Sequence, residues 1–277
     1  MAVRFKKTAV FILAFLLMFE QSGFTQISDR IFPVYFTPSN AVLTDKFRPV
    51  HLRYLSFIPG DNSFQLLLDK GGAKDLSIDA LQASARQVMD YFFIGLTLPN
   101  ESFWVNLRPD QPRNIIGPEL EKTDVGKVFL EADVNLKKDL ARFTSPDTPE
   151  GKQYWDALYA KAEELFGSDE MSLPTFTRPW IVPGEIIIRR NAAGAYIYKA
   201  TLRVYLEQDY FKNSSVFAFE DERMKMLNEY SSALVRKLII PMLSREVNVS
   251  RRYAPLRQVY YSLIMSQWFK EHFSEKG

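Results

Sequence analysis

The sequence contains no cysteine and only two histidines, His51 and His272. Without thiols the chain can form no disulfide, and it offers no thiolate to a metal ion or to a nucleophilic mechanism. A serine-histidine-aspartate triad would need one of the two histidines. The surrounding patterns place His51 at the start of a strand and His272 well inside a C-terminal helix. These shortages argue against thiol chemistry and against a triad hydrolase.

Several short motifs that carry nucleotide, metal or acyl-transfer chemistry are also missing. The chain has no H-E-x-x-H pair, no D-x-[DN]-x-[DN]-G calcium loop, no P-loop and no G-x-G-x-x-G turn. The G-x-S-x-G elbow of α/β-hydrolases is absent as well. We therefore expect no metal ion and no cofactor, and we assign no catalytic residue.

The chain also has little net charge once its first residues are set aside. Residues 1–25 carry three of the 35 basic side chains and one of the 33 acidic ones, so the remaining residues are formally neutral. A neutral chain has no overall field that would draw it to nucleic acid or to an anionic membrane. We therefore expect no nucleic-acid partner.

Residues 1–25 have the pattern of a targeting segment rather than of a folded element. Arg4, Lys6 and Lys7 form a basic start, and an apolar run typical of a signal-peptide core follows over residues 8–19. No other run approaches the length of about 18 apolar residues that a membrane-spanning helix needs. The sequence predicts export from the cytoplasm, to the periplasm or beyond the cell. Residues 1–25 are either removed as a signal peptide or kept as an uncleaved anchor, the one expected link to a membrane.

The clearest structural signal is a β-hairpin over residues 180–206. Residues 185–190 are rich in β-branched side chains, Pro183 and Gly184 precede them, and Gly194 allows the positive φ of a turn. From residue 196 onward the sequence alternates with the two-residue period of a half-buried strand. The predicted core face comprises Tyr196, Tyr198, Ala200, Leu202, Val204 and Leu206. The opposite, more polar face comprises Ile197, Lys199, Thr201, Arg203 and Tyr205.

The rest of the chain predicts an α+β fold with a mostly antiparallel sheet of about five strands and about five helices. Residues 26–50 contain three prolines and show no sustained period, so we expect an extended arm there and a single domain over residues 51–277. A second hairpin is predicted over residues 51–69, where Pro59 and Gly60 suit a type II turn. A further strand is predicted over residues 103–108. The helices are predicted at about residues 78–95, 124–143, 149–166, 220–240 and 256–273.

A candidate binding surface follows from the alternation of the predicted strands. Polar or aromatic side chains alternate with apolar ones over residues 103–108. Two cationic side chains lie on the polar face of the predicted strand after residue 194. If the two strands share a sheet, these side chains meet on one surface. The candidate residues are Trp104, Asn106, Arg108, Lys199 and Arg203. Aromatic stacking beside planar hydrogen-bonding groups suits a sugar, and arginine suits a carboxylate or a phosphate. The alternative is a solvated face, or a face covered by helices on which arginine stems lie flat.

Six stretches of the chain show a wider similarity. They are LRYLSFIPGDNSFQLLLDKG from Leu52, FWVNLRPD from Phe103, TDVGKVFLEAD from Thr123, TPEGKQYWDALY from Thr148, TRPWIVP from Thr177 and YAPLRQVYYSLI from Tyr253. Through them the chain resembles a group of uncharacterised exported proteins predicted from bacterial genomes, over nearly all residues beyond the first 25. The resemblance implies export, and it carries over no activity, ligand or catalytic residue.

These patterns favour a non-enzymatic protein of the cell envelope or the extracellular space that binds a protein or a glycan. The alternative is a hydrolase of glycan or cell-wall material, because two positioned carboxylates suffice for glycoside hydrolysis. Acidic side chains cluster in and just before the predicted helix over residues 124–143, at Glu119, Glu121, Asp124, Glu131 and Asp133. The dipole at a helix N-terminus favours acids without any catalytic role, so both interpretations stay open.

Overall fold

The computed structural model describes residues 47–72, 76–99, 116–167, 178–191, 193–210 and 221–273. The predicted targeting segment over residues 1–25, most of the predicted arm and the predicted strand over residues 103–108 lie outside these ranges. Within the ranges, no helix is both long enough and apolar enough to cross a membrane.

Four antiparallel strands form one sheet in the described residues, in the order β2-β1-β4-β3. The strands are β1 at His51–Ile58, β2 at Ser63–Asp69, β3 at Pro179–Arg190 and β4 at Gly194–Leu206. Both predicted hairpins are therefore confirmed. The predicted type II turn is wrong, because Pro59–Asp61 form a 3₁₀ turn and Asn62 rather than Gly60 takes the positive φ, at 46°. Asparagine tolerates this left-handed conformation because its side chain is short and polar.

The longer helices of the described residues number six. They are α1 at Ile78–Thr97, α2 at Asp124–Phe143, α3 at Pro149–Phe166, α4 at Glu222–Leu234, α5 at Ile240–Val249 and α6 at Ala254–Phe273. Together with the antiparallel sheet they make an α+β fold, as the sequence predicts. The described residues hold one strand fewer and one helix more than the expected numbers.

Helix α3 shows how local sequence sets the ends of a helix in this chain. Thr148 precedes the helix, and its hydroxyl oxygen accepts a hydrogen bond from the Gly151 N–H at 3.1 Å. Pro149 occupies the first helical position, and Gly167 ends the helix with a φ of 70°. Each of these residue types is favoured where it stands, and the predicted bounds of this helix are confirmed.

The predicted helix over residues 220–240 corresponds to α4 and a π turn, after which a second helix, α5, continues to Val249. Val235–Ile239 form the turn, and Pro241 is the second residue of α5. Proline has no N–H, and its ring clashes with the carbonyl of the preceding turn. A π turn widens the helix locally and relieves this clash. The division at Pro241 accounts for the additional helix.

One β-bulge corrects the predicted start of the β3–β4 hairpin. Strand β3 begins at Pro179, so Pro183 and Gly184 lie inside it rather than before it. Proline is tolerated there because β3 lies at the edge of the described sheet and its pairing slips just after Pro183. The Thr201 hydroxyl fills the slip by accepting a hydrogen bond from the Glu185 N–H at 2.9 Å. A Cβ on residue 184 would lie 2.6 Å from that hydroxyl oxygen, so the site requires glycine.

A second bulge reverses the predicted faces in the first half of β4. The pairing slips between Ile187 and Ile188, which leaves Tyr198 as an extra residue on β4. Ile197 is completely buried, whereas Tyr198 is 54% exposed. The assignment of Tyr196 and Tyr198 to the core face is therefore wrong, as is that of Ile197 to the polar face. One extra residue shifts a two-residue period by one position, and the predicted core face holds only beyond the bulge.

The core lies between the sheet and helices α1, α5 and α6, and α6 contributes more buried side chains to it than any other element. The predicted apolar stripe of this last helix is confirmed, since Leu263 and Trp268 are both buried. The Ser266 hydroxyl of α6 donates a hydrogen bond to the Phe92 carbonyl of α1 at 2.7 Å. This bond joins the two helices where they cross under the β1–β2 hairpin.

Strand β4 pairs with β1 at only three positions, Tyr196, Ala195 and Gly194. Beyond them, side chains of α5 make the hydrogen bonds that a neighbouring strand would make. The Asn248 side chain accepts from the Leu202 N–H at 2.9 Å and donates to the Leu202 carbonyl at 2.7 Å. The Ser244 hydroxyl accepts from the Val204 N–H at 3.2 Å. Helix α5 thereby closes the part of the β4 edge that β1 leaves open.

Two further side chains fill the gap between β1 and β4. Arg53 donates through Nη2 to the Tyr198 carbonyl at 3.0 Å. The Tyr261 hydroxyl of α6 lies 3.5 Å from the Ala200 carbonyl. Backbone carbonyls along a strand need hydrogen-bond partners, and here β1 and α6 supply them from side chains.

Buried Arg257 of α6 fixes the end of α5. Its guanidinium donates to the Val247 and Phe47 carbonyls at 2.7 Å and to the Ser250 carbonyl at 2.8 Å. Burial lowers the pKa of Arg257 to about 10. The last carbonyls of a helix carry partial negative charge and favour a nearby cation. The bond to Phe47 also ties the described end of the predicted arm to the helices.

We expect Asn248→Ala to lower the free energy of unfolding by about 2–3 kcal/mol, because the Leu202 N–H and carbonyl would lose their partner. The matched control is Asn228→Ala in α4, where the side chain makes no hydrogen bond within the described residues. Its effect should stay within about 0.5 kcal/mol. Urea unfolding of both variants measures the difference. Equal effects would show that Asn248 does not stabilise the strand edge.

Candidate functional site

The structure describes two of the five candidate residues. Lys199 and Arg203 lie on the face of β4 opposite the buried side chains of Leu202 and Val204. Trp104, Asn106 and Arg108 lie outside the described residues, so their position beside β4 stays a prediction. The described part of the candidate surface therefore lies on β4 and its neighbour β3.

Beyond the bulge, alternation places four side chains of β4 in a line. We name this line the outer row, and it comprises Lys199, Thr201, Arg203 and Tyr205. At about 3.3 Å per residue it extends over about 20 Å. Tyr205 is 43% exposed, and the Lys199 side chain is 48% exposed. A row of this length, with an aromatic ring at one end and cations along it, suits an extended ligand.

The bulge adds aromatic and basic groups at the other end of the outer row. Tyr198 points to solvent beside Lys199, and the Arg189 guanidinium of β3 lies 5.3 Å from the centre of the Tyr198 ring. The Arg53 guanidinium lies 5.3 Å from the centre of the Tyr196 ring, and its Nε donates to the Tyr196 hydroxyl at 3.3 Å. These contacts hold tyrosine rings and guanidinium groups side by side.

The charge along β3 and β4 is predominantly positive. Arg189, Lys199 and Arg203 lie along the two strands, and Glu185 is the acidic side chain among them. Glu185 forms an ion pair with Lys199 at 2.5 Å. Arg203 makes no ion pair with any other residue that the structure describes. The surface is therefore complementary to a ligand with negative charge.

The bulge is the feature that sequence reasoning missed, and it brings Tyr198, Arg189 and Tyr196 into the candidate surface. Strict alternation placed Ile197 on a solvated face, although isoleucine favours the core. An isoleucine on the predicted polar face is thus the signal in the sequence that the two-residue period changes within the strand.

The alternative function, a carboxylate-dependent hydrolase, would need two acidic side chains that lie close together. Asp139 of α2 and Glu246 of α5 are buried close together. Arg252 Nη2 lies 2.7 Å from Asp139 and 3.5 Å from Glu246, and Arg142 Nη2 lies 3.2 Å and 3.9 Å from them. The Tyr253 hydroxyl donates to Asp139 at 2.8 Å. Burial and the neighbouring Asp139 carboxylate raise the pKa of Tyr253.

This cluster has the properties of a structural tie rather than of a catalytic pair. Its two carboxylates are shielded from solvent and are held by arginines, whereas a glycosidase acid must reach the glycosidic oxygen. Asp133 is likewise buried and pairs with Lys137 and Arg178. Of the exposed acids near α2, Glu119 and Asp124 pair with lysines three residues later. None of these described acids supports hydrolysis.

His51 is buried against the helices rather than placed in a cleft. Its Nδ1–H donates to the Pro49 carbonyl at 2.9 Å, and its Nε2 lies 3.8 Å from Asp69. The His51 and Tyr261 ring centres are 4.2 Å apart. Burial lowers the pKa of His51 below its ordinary value of 6.5. In the described part of the chain, no group of three or more histidine, aspartate or glutamate side chains is placed to hold a metal ion.

Comparison with known proteins identifies no family and no ligand. No protein-family model matches the chain, and no curated protein or solved structure is similar to it. No residue role is therefore transferred from another protein.

The lowered pKa of His51 predicts a dependence of stability on pH. The unfolded chain binds the histidine proton more readily than the folded protein does, so stability is greatest above the unfolded-state value of 6.5. Stability should decrease as the pH falls below that value and through the folded-state pKa. We expect His51→Gln to remove this part of the decrease.

Urea unfolding of both proteins between about pH 8 and about pH 5 measures the effect. The two proteins differ only at residue 51, so the difference between the two curves isolates His51. Parallel curves would contradict the prediction.

Proposed function

We propose that this chain is an exported, non-enzymatic binding protein and that the outer row with its flanking strand binds an acidic glycan. The basic and apolar pattern of residues 1–25 supports export, as does the resemblance to exported bacterial proteins. The line of Lys199, Arg203 and Tyr205 on one open face of β4 supports glycan binding and is the observation on which the proposal depends.

The chemistry of the outer row matches the parts of an acidic sugar chain. Tyrosine rings present flat apolar faces on which the C–H groups of a sugar ring can pack. Arginine presents a planar fork of donors that matches a carboxylate. The repeat of an oligosaccharide allows successive sugar units to contact successive side chains of one strand. A flat surface of this kind favours binding along the ligand over enclosure of a single sugar.

A binding measurement with matched ligands tests the proposal. Oligosaccharides of uronic acids carry a carboxylate on every unit, and chemical reduction converts the same chains to neutral sugars of equal length. We expect purified protein to bind the acidic form and not the reduced form. Added salt should weaken the binding, because exposed charges are screened.

Variants locate the ligand on the surface. We expect Arg203→Gln and Tyr205→Ala each to weaken binding of the acidic chain by about 1–3 kcal/mol, through a lost charge-assisted bond and lost stacking. Arg223→Gln in α4 and Tyr159→Ala in α3 are the matched controls, since both side chains are exposed elsewhere. Trp104→Ala and Arg108→Ala should also weaken binding if residues 103–108 lie beside β4. Equal affinity for acidic and reduced chains, or unchanged affinity of Arg203→Gln, would contradict acidic-glycan binding.

Export is tested separately from binding. We expect residues 1–30, fused to a reporter enzyme that is active only outside the cytoplasm, to give activity in a bacterial host. Replacing Arg4, Lys6 and Lys7 by glutamate should abolish it, because the basic start of a signal segment directs insertion. A silent reporter with the unaltered segment would contradict export.

A further inference from the structure

An open groove separates the C-terminal half of α2 from the first half of α3, away from the outer row. Its volume is about 900 Å³, which lies within the usual range for small-ligand sites. Lys137, Thr144 and Ser145 lie on one side, and Trp155, Asp156 and Tyr159 lie on the other. The groove is thus lined by a mixture of aromatic, hydroxyl and charged side chains.

The α3 side of the groove is formed by an aromatic pair held in a fixed orientation. Trp155 and Tyr159 stand one turn apart on α3, with ring centres 5.8 Å apart and ring planes within 30° of each other. The indole N–H of Trp155 donates to the Thr144 carbonyl at 2.8 Å, which ties the ring to the end of α2. Buried Tyr154 packs edge-on against the indole at 5.1 Å. Tyr159 is 45% exposed, so the pair presents ring surface to solvent.

Polar groups of both signs flank this aromatic pair. Lys152 and Asp156 lie one turn apart on the exposed side of α3, and neither makes an ion pair with another described residue. Lys137 also borders the groove, but it forms an ion pair with Asp133 at 2.7 Å. The groove therefore offers a hydrogen-bond donor and an acceptor without an excess of either charge.

We propose that this groove binds a neutral saccharide of two or three sugar rings. The apolar face of a sugar ring packs on Trp155 and Tyr159, and its hydroxyls accept from Lys152 and donate to Asp156. A carboxylate or phosphate ligand would be repelled by Asp156 as well as attracted by Lys152, and an apolar peptide would leave the charged side chains without partners. The site is separate from the outer row and does not depend on the function proposed for that surface.

The test titrates the purified full chain with neutral oligosaccharides of two to four units, from β-1,4-glucan, α-1,4-glucan and chitin, by calorimetry and by tryptophan fluorescence. We expect at least one of them to bind and to change the tryptophan emission, since Trp155 lies under the ligand. Tyr159→Ala should weaken that binding about tenfold or more, because stacking aromatics often dominate binding energy. Asp156→Asn should weaken it less, since the amide still accepts a hydrogen bond.

Tyr205→Ala provides the control, because this tyrosine is equally exposed but lies on the outer row. It should leave neutral-saccharide binding unchanged while it weakens binding of the uronic-acid chains, and Tyr159→Ala should show the reverse pattern. The inference is overturned if none of the neutral saccharides binds more tightly than about 10 mM. It is also overturned if Tyr159→Ala, with an unchanged unfolding midpoint, binds as well as the unaltered protein.

Discussion

The fold depends on how the long strand β4 satisfies its backbone beyond the short stretch that it shares with β1. An unpaired N–H or carbonyl buried under a helix is costly, and three pairs with β1 leave most of the inner edge of β4 unmatched. Asn248 and Ser244 complete that edge from α5, and Arg53 and Tyr261 complete it nearer to β1. The helices are therefore bonded to the sheet as well as packed on it.

The hydrogen bonds along the edge of β4 also affect the face of the strand that points away from the helices. A strand held on both edges presents its outward side chains at a fixed spacing, and a rigid scaffold is what a binding surface requires. The bulge at Tyr198 then places a tyrosine next to Lys199 instead of on the opposite face. The buried acids Asp139 and Glu246 tie α2, α5 and the turn just before α6 together, so the charged groups in the described part of the chain divide into a structural set and an exposed set.

The sequence predicted those parts of the fold that depend on neighbouring residues. Thr148 and Gly167 bound α3 where local preference places them, and both hairpins were evident from strand period and turn residues. The bulges were not evident, because the pairing of β3 with β4 fixes them and a single strand does not reveal its register. The role of Asn248 depends on a partner 46 residues away in the chain. The residues next to Asn248 in the sequence are typical of any exposed helix end, so they do not indicate this role. The groove between α2 and α3 was not evident either, because it depends on the angle at which the two helices meet.

The π turn at Val235–Ile239 joins helical halves that serve different layers of the protein. Residues buried along this segment recur every four positions, at Leu227, Ser231, Val235, Ile239, Leu243 and Val247. Four residues of an α-helix exceed one full turn by about 40°, so outside the π turn the buried stripe winds around the axis. Near its start it meets α3, where the hydroxyls of Tyr154 and Ser231 lie 2.9 Å apart, and near its end it meets β4 through Ser244 and Asn248. Because α4, the π turn and α5 follow one another without a break, a rotation of α4 against α3 would be transmitted through them to the edge of the sheet.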